Sequence, residues 1–71
     1  ADVAEIQVHE GSKITKAPVR ELKLPYGMTL AGLIRGDEVR LIDGNTRIMP
    51  GDYVVLFTLQ GTLDKIEKWF S

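Results

Sequence analysis

The sequence predicts a small α+β domain: a mainly antiparallel sheet of four to five strands, with a short helix after the first strand and a C-terminal helix. Three observations carry this reading. Residues 4–9 alternate between apolar and polar side chains, the period of a half-exposed strand. Residues 28–34 and 53–59 are nearly continuous apolar runs bounded by turn residues. Leu63, Ile66 and Phe70 recur at the i, i+3, i+7 spacing of one helix face, with Asp64, Lys65, Glu67 and Lys68 on the other side.

The elements follow in order. In the first strand Ala4, Ile6 and Val8 share one face and Glu5, Gln7 and His9 the other, and Glu10-Gly11-Ser12 ends it. Residues 13–25 do not alternate. Pro18 suits the first position of a helix, where its missing N–H is not needed, and Val19, Leu22 and Leu24 follow at rough helical spacing. Pro25 stops that helix after one or two turns, a length that is stable only when packed on a sheet. Tyr26-Gly27 then turns the chain into residues 28–34, which are apolar except for Thr29. Strict alternation puts Met28, Leu30, Gly32 and Ile34 on one face and Thr29, Ala31, Leu33 and Arg35 on the other.

Gly36-Asp37 makes a tight hairpin turn into residues 38–42. Asp43-Gly44-Asn45-Thr46 is a second turn, Arg47-Ile48 a brief extended piece, and Met49-Pro50-Gly51-Asp52 a type II turn with Pro and Gly at the two central positions. In that structural turn of Pro50, Gly51 and Asp52, the carboxylate is placed to accept backbone N–H groups and pin the next strand. Residues 53–59 are rich in β-branched and aromatic side chains and belong at the centre of the sheet. Gln60-Gly61 breaks the strand, and Thr62 is expected to cap the last helix.

Composition narrows the function. The chain has 71 residues, one small domain whose core is modest for its surface. It starts at Ala1, not Met, and ends at Ser71 straight after the helical pattern, so 1–71 reads as one domain cut from a longer protein. A net charge of −1 lacks the basic footprint that nucleic-acid binding needs. No apolar run approaches the ~20 residues of a spanning helix, so direct membrane insertion is not expected. There is no cysteine, which removes disulfides and thiolate metal sites.

The candidate chemistry is sparse. One histidine, His9, stands on the polar face of a strand with no nucleophile or orienting acid near it in sequence. Neither a catalytic residue nor a metal site is expected, and the glycines do not form a phosphate-binding motif. Arg35-Gly36-Asp37 has the letters of an adhesion tripeptide, but it fills a hairpin turn in a chain without secretory features. Arg35 is the most suggestive polar residue. It closes an apolar strand and could grip a phosphate or carboxylate with its bidentate fork, or instead pair with Glu38 at a solvated hairpin end. The face of Ala31, Leu33 and Arg35 is either core beneath the helices or a self-complementary contact with a second copy.

Four ordered segments carry a family resemblance: residues 8–12 (Val-His-Glu-Gly-Ser), 19–25 (Val-Arg-Glu-Leu-Lys-Leu-Pro), 30–39 and 45–57, the last containing Pro50-Gly51-Asp52. Together they resemble the TrkA C-terminal domain, the C-lobe of the regulator-of-potassium-conductance (RCK) family, over nearly the whole chain. The resemblance implies a cytoplasmic regulatory domain that senses a ligand, forms a homodimer, and acts through its parent protein on a membrane potassium transporter or channel subunit. A cation/proton antiporter tail and a stand-alone peptide-binding adaptor are the alternatives. In such families NAD(H) or ATP binds a Rossmann lobe that this chain lacks, and in some members cyclic di-AMP binds between two C-lobes. Ile34-Arg35 matches the family's apolar-then-Arg strand end, which makes Leu33, Ile34 and Arg35 the candidate ligand-groove residues. Ile42 departs from the Pro that many members carry there, and residues 39–45 are more like the last C-lobe of duplicated members. That departure favours packing or interaction over cyclic di-AMP binding.

Overall fold

The computed structural model describes residues 2–71. Four strands, β1 (Asp2–Gln7), β2 (Met28–Arg35), β3 (Glu38–Leu41) and β4 (Tyr53–Thr58), form one sheet in the order β1-β4-β2-β3, with every neighbouring pair antiparallel. β4 lies between β1 and β2, the interior position that its β-branched and aromatic residues predict. The short edge strand β3 is joined to β2 by a two-residue turn. Gly36, at φ 60, occupies the first central position, where a side chain would be strained.

One face of the sheet carries the core. Leu33, Val54, Leu56 and Met28 project from the strands onto Val8, Ile14 and Ile48 from the connecting segments and Ile66 and Phe70 from the C-terminal end, and all nine are buried. The last helix, α1 (Leu63–Glu67), supplies Ile66. It is shorter than the eight residues the apolar spacing predicts, because the next bonds are of the tighter i→i−3 kind: Trp69 N to Ile66 O at 2.9 Å and Phe70 N to Glu67 O at 3.0 Å. This tightening swings Phe70 under the sheet. The tail is then fixed by His9 N to Phe70 O at 3.1 Å and Ile14 N to Trp69 O at 3.0 Å. Thr62 does not cap the helix with its side chain; its hydroxyl donates backwards to Leu59 O at 2.6 Å.

The helix expected after the first strand is instead two separate 3-10 turns, Lys13–Thr15 and Val19–Glu21. Pro18 precedes the second turn and Leu22 is already extended, so the segment never closes an α-helical ring. Its free N–H groups are satisfied elsewhere: Val19 N donates to Thr46 O at 3.0 Å and Arg20 N to Gly44 O at 2.9 Å. These bonds tie the segment to the 43–46 turn.

The largest departure from strict alternation is in β2. Leu30 pairs with Leu56 and Gly32 with Val55, which leaves Ala31 as an extra residue in a β-bulge. The bulge shifts the phase of the strand. Met28 and Leu30 face the core before it, and Leu33 faces the core after it. Leu33, expected on a face with Ala31 and Arg35, is therefore fully buried within its own chain. Ile34 passes to the opposite side, level with Tyr53.

Candidate functional site

The second face of the sheet has nothing packed over it among the described residues. Strand alternation and the pairing register place Val3, Tyr53, Val55, Phe57, Ile34, Val39 and Leu41 there. Val39 and Leu41 on β3 are 76% and 87% exposed, and Val3 is 65% exposed. A shallow apolar hollow of about 240 Å3 lies in this face between β2 and β3, lined chiefly by Ala31, Ile34, Val39, Leu41 and Val55. Gly32 forms its floor. A Cβ there would meet the Arg40 carbonyl oxygen at 3.0 Å, so glycine allows β3 to close against the bulged strand.

Arg35 stands at the end of β2, beside this face, with its guanidinium already engaged. Nε donates to Asp52 Oδ1 at 2.9 Å and Nη2 to Asp52 Oδ2 at 2.8 Å, a bidentate pair, and Nη2 also donates to Arg47 O at 3.1 Å. Asp52 is 1% exposed, and its Oδ2 further accepts Met49 N at 2.9 Å. Burial alone would raise the Asp52 carboxyl, but the Arg35 hydrogen bonds, the Met49 N–H and the Arg35 charge outweigh it and hold it below the usual carboxylate range. The same hydrogen bonds raise Arg35 against the smaller opposing effect of its desolvation.

Of the predicted site residues, the structure thus brings Ala31, Leu33 and Ile34 to the lining of the hollow, with Leu33 itself fully buried. Arg35 turns its fork to Asp52 and not toward a ligand. Glu38, the surface partner considered for Arg35, pairs with Arg40 at 2.9 Å. In the turn of Pro50, Gly51 and Asp52, Gly51 has φ 91 and Asp52 N donates to Met49 O at 3.1 Å, so the carboxylate is delivered by the turn's own geometry. His9 is exposed, and no group of three metal-ligating side chains occurs among the described residues. Sequence reasoning missed Val39 and Leu41 as surface residues; their shared phase along β3 was the available signal.

A family model for the TrkA-C domain matches residues 3–71. The chain belongs to the TrkA-C family. It is 30% identical over 71 residues to the Trk system potassium uptake protein TrkA homolog 1 of Methanosarcina mazei, covering 100% of this chain and 16% of that protein. It is 29% identical over 69 residues to the Trk system potassium uptake protein TrkA of Azorhizobium caulinodans, covering 97% of this chain and 15% of that protein. The TrkA-C chain thus spans about a sixth of the length of these relatives, 16% and 15%. Among solved structures, one described as an RCK domain with cda superposes with a TM-score of 0.82 at 18% identity over 100% of both chains. That likeness establishes a shared fold.

Proposed function

We propose that this TrkA-C domain is the pairing and ligand-sensing module of a potassium uptake regulator, held on the cytoplasmic side of the membrane through its parent protein. The single observation that carries this reading is the uncovered apolar sheet face. Two copies would meet through Ile34, Val39, Leu41, Tyr53 and Phe57 in a symmetric contact, in which each patch faces itself. Burying these side chains contributes roughly 25 cal/mol per Å2 of apolar surface removed from water. Ala31 and Ile34 would then border a seam in which the hollow admits a small ligand. Leu33 supports that seam from below, and the Arg35–Asp52 pair fixes the end of the strand. A ligand with higher affinity for one pairing geometry would shift the equilibrium of an attached transporter by that difference in affinity. The domain acts by binding and not by catalysis. Its relatives' membership of Trk potassium uptake systems supports the choice of transporter.

Sedimentation velocity across a concentration series tests the pairing. The wild type should show reversible dimerisation, and Leu41→Glu should remain monomeric with an unchanged circular dichroism spectrum. A wild type that stays monomeric into the millimolar range, or an L41E variant that pairs as well as wild type, would refute the reading. Introducing the same L41E change into the full-length protein and measuring growth on limiting potassium extends the test to transport.

One observation favours a second reading. β1 is an edge strand whose outer side is unpaired in the sheet order, the arrangement that a peptide-binding adaptor would use to accept an added strand. An extended peptide captured on residues 4–9, with no self-association, would select that reading.

A further inference from the structure

We propose that a cleft beneath β3, which meets the apolar face at Leu41, binds a compact oxyanion of the phosphate class through Arg47, Arg40 and Arg35. The cleft has a volume of about 420 Å3 and lies between β3 and the 43–49 loop. Three of the chain's four arginines line it. The fourth, Arg20, hydrogen-bonds Asn45 Oδ1 on the rim. Guanidinium is therefore concentrated at one place, whereas none of the chain's five lysines lines the cleft. A planar fork of N–H donors matches tetrahedral oxyanions better than an ammonium does.

The three arginines are held to different degrees. Arg35 is fixed by the buried Asp52 and by Arg47 O, which leaves its Nη1 without a protein acceptor among the described residues. Arg40 is paired with Glu38 through Nε at 3.0 Å and Nη2 at 2.9 Å, on a surface where both side chains are at least half exposed. Such an exposed pair is weak and exchangeable. Arg47 has no carboxylate partner among the described residues; its Nη2 reaches only Lys16 O at a long 3.4 Å. Asp43 is the one carboxylate on the cleft wall. Its Oδ1 accepts Asn45 N at 2.8 Å and Thr46 Oγ1 at 3.3 Å, so it is committed to its own turn.

Asp52 and Glu38 offset the charge of two of the three guanidinium groups, Arg35 and Arg40, and leave that of Arg47 uncompensated. An incoming oxyanion then takes the donors of Arg47, the Nη1 edge of Arg35, and Arg40 in exchange for Glu38. Arg40 lies opposite Leu33 in register, so its side chain leaves β3 on the core side, away from Val39 and Leu41. The site is complete in a single copy and does not depend on pairing.

The exchange predicts opposite effects for two exposed residues. The experiment titrates the domain with inorganic pyrophosphate at constant ionic strength, followed by amide and arginine Nε–Hε NMR shifts, with inorganic phosphate and sulfate as parallel arms. Saturable shifts are expected at Arg35, Arg40 and residues 43–47. Arg47→Gln should weaken binding about tenfold, the effect of losing one charge-assisted hydrogen bond. Glu38→Gln should tighten it several-fold by freeing Arg40, whereas Glu67→Gln on α1, which removes the same charge elsewhere, should leave it unchanged. The proposal is overturned by linear, unsaturable shifts spread over all cationic residues, by an R47Q variant that binds like wild type, or by equal tightening in E38Q and E67Q.

Discussion

At the scale of single residues, the Arg35–Asp52 pair sets the corner where β2, the 49–52 turn and β4 meet. The two residues are seventeen apart in sequence, and the bidentate contact joins the end of one strand to the start of another. Asp52→Asn keeps the size of the side chain and an acceptor for Met49 N but removes the charge. Breaking a fully buried pair costs about 3–5 kcal/mol. Here the Arg35 side chain is 34% exposed and water can solvate it, so a loss of about 2 kcal/mol in urea unfolding at pH 7 is expected. The same residue makes a pH prediction. The native Asp52 carboxyl is depressed, so the unfolded state takes up its proton first as pH falls. The pair's contribution is fully present above the ordinary carboxylate value of about 3.9 and fades as acid titrates the lower native value. The stability gap between wild type and D52N should therefore shrink as pH falls below about 4, the ordinary carboxylate value. A gap constant over that range would contradict the assignment. Gly51 offers a purely conformational test. A Cβ there touches nothing within 4 Å, but φ is 91, so Gly51→Ala should destabilise by about 1 kcal/mol through backbone strain alone.

At the scale of elements, the bulge at Ala31 decides which side chains of β2 are core and which are surface. Apart from Thr29, residues 28–34 are apolar in both phases, so nothing in the alternation around Ala31 marks where one phase gives way to the other. Leu33 and Leu41 look equivalent as apolar strand residues, yet one is fully buried and the other is 87% exposed. Leu33→Ala should cost about 2–5 kcal/mol in equilibrium unfolding. Leu41→Ala, measured on monomer, should stay within about 0.5 kcal/mol of wild type. Similar losses at both positions would mean the bulge is misplaced. The 13–25 segment shows the same limit in another form. Its apolar residues are spaced loosely enough for a helix, but Val19 N and Arg20 N find carbonyl partners on the 43–46 turn and Ile14 N finds one at Trp69, and these pairings select 3-10 turns over an α-helix.

At the scale of the whole molecule, a single sheet with one covered face leaves a 71-residue chain with a modest core. If the second face pairs two copies, stability becomes dependent on concentration. The melting temperature of the wild type should rise with protein concentration, and that of L41E should not; parallel behaviour of the two would argue against pairing through this face. The anion cleft draws Arg35, Arg40 and Arg47 from outside this face but shares Leu41 with it, so its occupation is measured on wild type at a concentration where the chain is monomeric and not on L41E.

The sequence by itself determined the antiparallel α+β class, the turns at 36–37 and 50–52, the central place of β4 and the family to which the chain belongs. Each of these is written in local signals: periodicity, turn chemistry and the order of motifs. Tertiary structure alone decided the phase of β2 after Ala31, the commitment of Arg35 to Asp52, and the gathering of arginines around the 43–47 loop. These depend on contacts between residues distant in the chain, where burial and hydrogen-bond completion outweigh local preference.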